Sequence, residues 1–186
     1  MPDDRNKLDR VSIRLKGFDY SSAASYFTTI CTQNRQCLFG EIESGAMIVN
    51  PAGQMIIDEW WEIRSRFTSV QLEKFVVMPN HFHGILSILP AAEGSSVGIV
   101  DVGVPTKGTP TLGEIIGAFK SITTNRYIDG VNNHDWEPFN RRLWQRNYYE
   151  HIIRDDRSFD ILQSYIQDNP LRWKIDQLHP DVPSKW

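Results

Sequence analysis

The stretch "KFVVMPNHFHGILSIL", Lys74 to Leu89, constrains this chain more than any other. Two apolar runs rich in β-branched and aromatic residues flank Pro79-Asn80, which predicts strands over 75–78 and 81–89. His81 and His83 interrupt the second strand at alternate positions, with Phe82 between them. Residues i and i+2 of a strand project from one face, so both imidazoles point one way and Phe82 the other. Paired imidazoles can hold a divalent ion if at least one further ligand arrives from elsewhere. Two histidines on a strand are more often structural than ligands, so the rest of the chain has to decide.

The surrounding pattern places that hairpin in a fold. "SYFTTICTQ" (25–33) reads as a central strand, and "LFGEIESGAMIVN" as a hairpin around Ser44-Gly45. In "PAGQMIIDEWWEIRSRF" (51–67), Met55, Ile56, Trp60, Ile63 and Phe67 recur at helical spacing. Thr111 with Glu114 three residues on forms a capping box for a helix through "LGEIIGAFKSITTNRYI". "RRLWQRNYYEHIIR" predicts a further strand, and a last helix starts near Asp156 and stops at Pro170. Residues 1–20 form a charged extension, and 90–110, rich in Gly, Pro, Ser and Val, an insertion loop. The order is strand, helix, strand, strand, helix, strand, helix. It predicts an α+β fold, a ferredoxin-like βαββαβ antiparallel sheet with helices packed on one face, followed by a C-terminal helix. The histidine strand is third in that core, a central position.

A chain of 186 residues suits one domain spanning 1–186. Its formal net charge of -3 does not advertise a nucleic-acid binder, although a local basic strip suffices for binding. Cys31 and Cys37, with no Cys-x-x-Cys spacing, read as reduced thiols. No apolar run reaches the ~20 residues of a membrane span, and the N-terminus lacks the apolar segment of a signal peptide. A cytoplasmic protein with no membrane partner is expected.

The last helix supplies candidates for the missing chemistry. Tyr165 and Asn169 are four apart and share a helical face. The Asn carbonyl can complete a two-His-plus-oxygen site for Mg²⁺ or Mn²⁺. The Tyr phenol can attack phosphorus and form a covalent intermediate. On spacing alone, Tyr165 could instead rim the core beside Ile161, Leu162 and Ile166, and Asn169 could simply end the helix.

"MPNHFHGIL" followed much later by "SYIQDNP" resembles the single-tyrosine transposases of the HUH (His-hydrophobic-His) nuclease superfamily, in particular the REP-associated tyrosine transposases. "WQRNYYEHIIR" resembles the block that precedes the catalytic helix in that group, and "FKSITTNRYI" its penultimate helix. The blocks cover most of residues 25–172. The resemblance implies His81, His83 and Asn169 as metal ligands and Tyr165 as the nucleophile, with Tyr148 the rival tyrosine. It implies metal-assisted cleavage and rejoining of single-stranded or hairpin DNA through a 5′-phosphotyrosine link, by a monomer or homodimer. Lys120, Arg141, Arg142, Trp144, Arg146, Tyr148 and Arg154 would contact the DNA, guanidinium groups on phosphate and aromatic rings on unpaired bases. The long 90–110 loop and the acidic net charge depart from this picture. The sequence does not identify the general base, for which His151 is one candidate. Two other classes remain open: a metal-dependent phosphohydrolase, which would not need Tyr165, and a domesticated DNA-binding domain that has lost the chemistry.

Overall fold

The computed structural model of the chain describes residues 19–20, 22–90 and 109–183. The N-terminal extension and the insertion loop expected from the sequence lie almost wholly outside the described residues.

The chain forms a four-stranded antiparallel sheet from β1 (Ala24–Cys31), β4 (Val70–Met78), β5 (His81–Ile88) and β6 (Tyr149–Ile153), in the order β4-β5-β1-β6. With α1 (Pro51–Trp61) and α3 (Leu112–Asn133) as the crossovers, this is the expected βαββαβ arrangement. Between β1 and α1 the chain makes a separate hairpin, β2 (Gly40–Glu43) and β3 (Ala46–Val49). Its turn residues Ser44 and Gly45 have φ of 50° and 81°, the left-handed pair that a two-residue primed turn requires.

Local chemistry accounts for the helix starts. Asn50 caps α1 by accepting from Gly53 N at 2.8 Å, with Pro51 at the first helical position. Thr111 and Glu114 form the expected capping box on α3. Asp155 caps α4 (Asp156–Asp168) by accepting from Ser158 N at 2.7 Å. The helix expected over 51–67 is broken after Trp61 and resumes as the short α2 (Ile63–Arg66). There Ser65 Oγ donates to Glu62 O at 2.8 Å, competing for a backbone acceptor.

The two faces of the sheet are used differently. One is covered by α1 and α3 over a core that includes Tyr26, Ile30, Trp60, Phe82, Leu86 and Phe119. The other carries α4, packed on Phe27, Ile85 and Ile153 through Ile166. Phe82 anchors the histidine strand on the first face, its ring centroid 4.5 Å from that of fully buried Trp60. Gly84, next on that face, has no room for a side chain: a Cβ would stand 2.7 Å from both the Trp60 and Phe82 rings. Burying each large ring contributes about 1.5–3 kcal/mol. The alternation that buries Phe82 turns His81 and His83 toward the α4 face.

The strand expected over 141–154 is shorter than the sequence suggested. Only Tyr149–Ile153 pairs with β1, while Trp144 makes a lone bridge to Thr32. Leu143 and Trp144 turn into the core, and Arg141 adopts a left-handed φ of 63°, so the segment cannot run on as a regular strand. Among the described residues no helix is long and apolar enough to cross a membrane.

Candidate functional site

Sheet register builds the histidine pair. His83 lies opposite Thr29 on β1 and His81 opposite Cys31, with Val76 and Met78 of β4 on the other side. His83 Nδ1 is 2.8 Å from Thr29 Oγ1, and His81 Nδ1 is 2.8 Å from Asn80 Oδ1. The Asn80 amide is oriented by its Nδ2, which donates to Arg35 O at 3.0 Å and Leu178 O at 2.8 Å. Its Oδ1 therefore faces His81, so His81 carries its proton on Nδ1 and presents the Nε2 lone pair. The two rings are 4.6 Å apart. Burial pushes the His81 pKa down to about 3, and burial with the neighbouring ring holds His83 well below the ordinary histidine value. Both are neutral at neutral pH, the form that binds metals.

Helix α4 crosses this face and brings Tyr165 to the pair. The phenol oxygen lies 3.5 Å from His83 Nε2, and the rings meet edge-on with centroids 5.2 Å apart. Burial is the main cause that raises the Tyr165 pKa, the Asp176 carboxylate adds to it, and the Asn169 amide acts against it. Asn169, one turn on, is 1% exposed and stands against His81, Tyr165 and Asp176. The four residues His81, His83, Tyr165 and Asn169 are thus brought together as the sequence led us to expect.

Among the described residues, two buried polar atoms here, His81 Nε2 and Asn169 Oδ1, have no hydrogen-bond partner. Buried acceptors without donors are unfavourable, and a cation between them satisfies both. The donors present, two neutral imidazoles and an amide oxygen, are of the kind a divalent ion takes.

Asp176 was not singled out from the sequence, yet it belongs to this group. His81, His83 and Asp176 can hold a metal ion, their ligand atoms lying within 4.8 Å of one another. Asp176 Oδ2 is 4.0 Å from His81 Nε2, and burial is the main cause raising its pKa. In "WKIDQLHP" it lies beyond the helix-stopping proline, where no periodic signal marks a residue. It follows directly on the 3-10 turn Pro170–Ile175, whose buried Trp173 packs beside His81.

The expected DNA contacts are placed unevenly. Trp144 is corrected: it is 4% exposed, packs beside Phe39 and Phe119, and its Nε1 donates to Thr123 Oγ1 at 2.9 Å, so its ring is not available to stack on a base. Lys120 is half-buried and donates to Gln145 O at 2.6 Å and Arg146 O at 3.0 Å, which makes it a support for the arginine-bearing segment. Tyr148 is half-buried against the core. Arg141, Arg142, Arg146 and Arg154 are exposed. Arg141 and Arg142, with Gln33, Asn34 and Asn140, line a cavity of about 480 Å³.

An antiparallel βαββαβ sheet with a histidine pair on a central strand and a tyrosine-bearing helix across it defines the class. No model of a known protein family matches the chain. A Haemophilus influenzae protein, named only "Uncharacterized protein", is 40% identical over 179 residues, which cover 92% of this chain and 94% of that one. The chain belongs to the same family as that protein. Among solved structures it is similar to a REP-associated tyrosine transposase bound to a REP hairpin, with a TM-score of 0.55 and 18% identity, over 86% of this chain and 74% of that one. The chain has the REP-associated tyrosine transposase fold.

Proposed function

We propose that this protein is a metal-dependent transposase that cuts and rejoins single-stranded DNA through a 5′-phosphotyrosine intermediate, with hairpin, REP-like sequences as substrate. The observation that carries the reading is the Tyr165 hydroxyl 3.5 Å from His83 Nε2, beside the unpartnered His81 Nε2 and Asn169 Oδ1. His81, His83 and Asn169 would hold Mg²⁺ or Mn²⁺, which would supply positive charge to offset the charge that develops on the scissile phosphate. The Tyr165 oxygen attacks phosphorus, the bond from phosphorus to the 3′ oxygen breaks, and the phenol proton is transferred to the departing 3′ oxygen. A free 3′-hydroxyl attacking the phosphotyrosine reverses these changes and rejoins strands with no external energy source. Neutral, buried histidines and a tyrosine whose proton is held at neutral pH until attack fit this chemistry. Arg141, Arg142, Arg146 and Arg154 supply phosphate contacts, with Lys120 and Tyr148 shaping the segment that presents them.

The hairpin bound by the solved transposase supports the choice of substrate. The test is incubation with Mg²⁺ or Mn²⁺ and labelled hairpin DNA, followed by denaturation. A covalent adduct is expected from the natural chain, from Tyr148→Phe and from Tyr149→Phe, and none from Tyr165→Phe. Cleavage without an adduct would make the protein a phosphohydrolase, and binding with neither would leave a DNA-binding domain.

A further inference from the structure

We propose that Asp176 is the anionic ligand of the same ion site, and that Arg35, outside the site, positions it by holding the strap 176–182 in place. The proposal rests on the metal site described above and adds two residues to it.

The Asp176 side chain is 7% exposed, and its two oxygens do different work. Oδ1 accepts from Leu178 N at 2.6 Å, while Oδ2 faces His81 Nε2 at 4.0 Å. That nitrogen carries no proton, because Nδ1 donates to Asn80. Two lone pairs therefore face each other in a buried space, with the unpartnered Asn169 Oδ1 as a third acceptor against the same groups. A divalent cation placed among them satisfies all three at once. An ion about 2.1 Å from each of two donors leaves them at most about 4.2 Å apart, and the His81–Asp176 pair meets this limit. Two imidazoles, an amide and a carboxylate make four donors. A divalent ion held by these four would have positions left for phosphate oxygens, and the carboxylate would lower the net charge of the loaded site to +1.

Asp176 lies in a segment with little regular structure of its own, so something must hold it. Arg35 Nη1 reaches the carbonyl oxygens of Gln177 at 3.2 Å, His179 at 3.1 Å and Val182 at 2.9 Å. Its own carbonyl accepts from Asn80 Nδ2, the amide that orients His81. Asn34 and Arg35 adopt left-handed φ of 57° and 56°, a conformation that L side chains seldom take without a return. Trp173 completes the join, its ring 6.0 Å from His81 and 4.6 Å from His179. Arg35 thus joins the strap, held by its guanidinium, to the histidine hairpin, held by its main-chain carbonyl.

The test is direct binding of Mn²⁺ to the full chain, followed by the loss of the free-ion electron paramagnetic resonance signal with no DNA present. Asp176→Asn keeps an acceptor for Leu178 N–H and should weaken Mn²⁺ binding by about tenfold or more. Asp176→Ser repeats the comparison with a second side chain. Arg35→Gln, which leaves every proposed ligand of the ion in place, should weaken binding by about tenfold through Asp176. In the double variant the losses should not add, because Arg35 acts on the ion only through the carboxylate it places. Melting temperatures in chelator identify any variant that fails to fold. Binding by Asp176→Asn and Asp176→Ser within about twofold of the natural chain, with His81→Ala still losing it, would remove Asp176 and leave the histidine site standing. Fully additive losses would remove Arg35 as a positioning residue. A natural chain that binds no Mn²⁺ would overturn both the site and this extension of it.

Discussion

Tyr165 and His83, 82 residues apart in the chain, meet across one face of the sheet with the phenol oxygen 3.5 Å from Nε2. Phe27 joins them, stacked on His83 and edge-on to Tyr165, so both rings rest on the same apolar floor.

That floor makes Tyr165→Phe a clean substitution. The ring keeps its packing, Tyr165 is 37% exposed, and the hydroxyl lost makes only a long hydrogen bond to His83 beside the Asn169 amide. Unfolding free energy in urea is expected to change by no more than about 0.5 kcal/mol. A larger loss would mean that a missing adduct reports on folding.

Acid should destabilise the metal-free protein through the histidine pair. His81 has a folded pKa near 3, below its unfolded value, and His83 is lowered in the same direction. The unfolded chain therefore binds more protons between about pH 6.5 and 3, and stability present above pH 6.5 falls as pH is lowered. Each histidine should contribute about 1 kcal/mol per pH unit between pH 6.5 and 5. With a chelator present, His81→Gln should remove about half of the slope due to the pair, measured by urea titration at several pH values. An unchanged slope would place the titration elsewhere.

Glu59 gives a second stability test, away from the site. Its carboxylate is 1% exposed and pairs with Arg66 at 2.9 Å and Arg126 at 2.6 Å, joining α1 to α2 and α3. Removing both arginines leaves a buried charge unpaired and should cost about 3 kcal/mol, the low end of the usual range because Arg126 is mostly exposed. Glu59→Leu, which removes the buried charge itself, should cost less. The reverse order in urea denaturation would show that the carboxylate is well solvated.

The exposed arginines bear on the proposed DNA contact. Replacing Arg141 and Arg142 with Gln should weaken single-strand binding and reduce the slope of log K against log salt by about 1.4, for two phosphate contacts. An unchanged slope would put the strand elsewhere on the surface.

The parts of this structure legible in the sequence are those written in local chemistry. Alternation around Phe82 gave the direction of both histidines, the Thr111–Glu114 pair marked a helix start, and the four-residue step from Tyr165 to Asn169 placed both at the site. What was not legible depends on long-range return. Trp144 reads as a stacking aromatic among arginines, and only the tertiary pairing with Thr32 and Thr123 turns it inward. Lys120 reads as a DNA contact until the carbonyls of Gln145 and Arg146 fold over it. Asp176 follows a helix stop with no period to flag it, and its place is set by Arg35, far back in the chain.

The turn at Asn80 bears on the order in which the protein is made. Its amide holds His81 on one side and, 98 residues further on, Leu178 on the other. Chains emerge N-terminus first at ~5–20 residues per second, so the histidine hairpin leaves the ribosome roughly 5–20 s before the strap. A chain translated only as far as the histidine hairpin lacks Tyr165, Asn169 and Asp176. On the proposed chemistry, a strand-breaking activity is withheld until synthesis has passed the strap that carries Asp176 and Leu178.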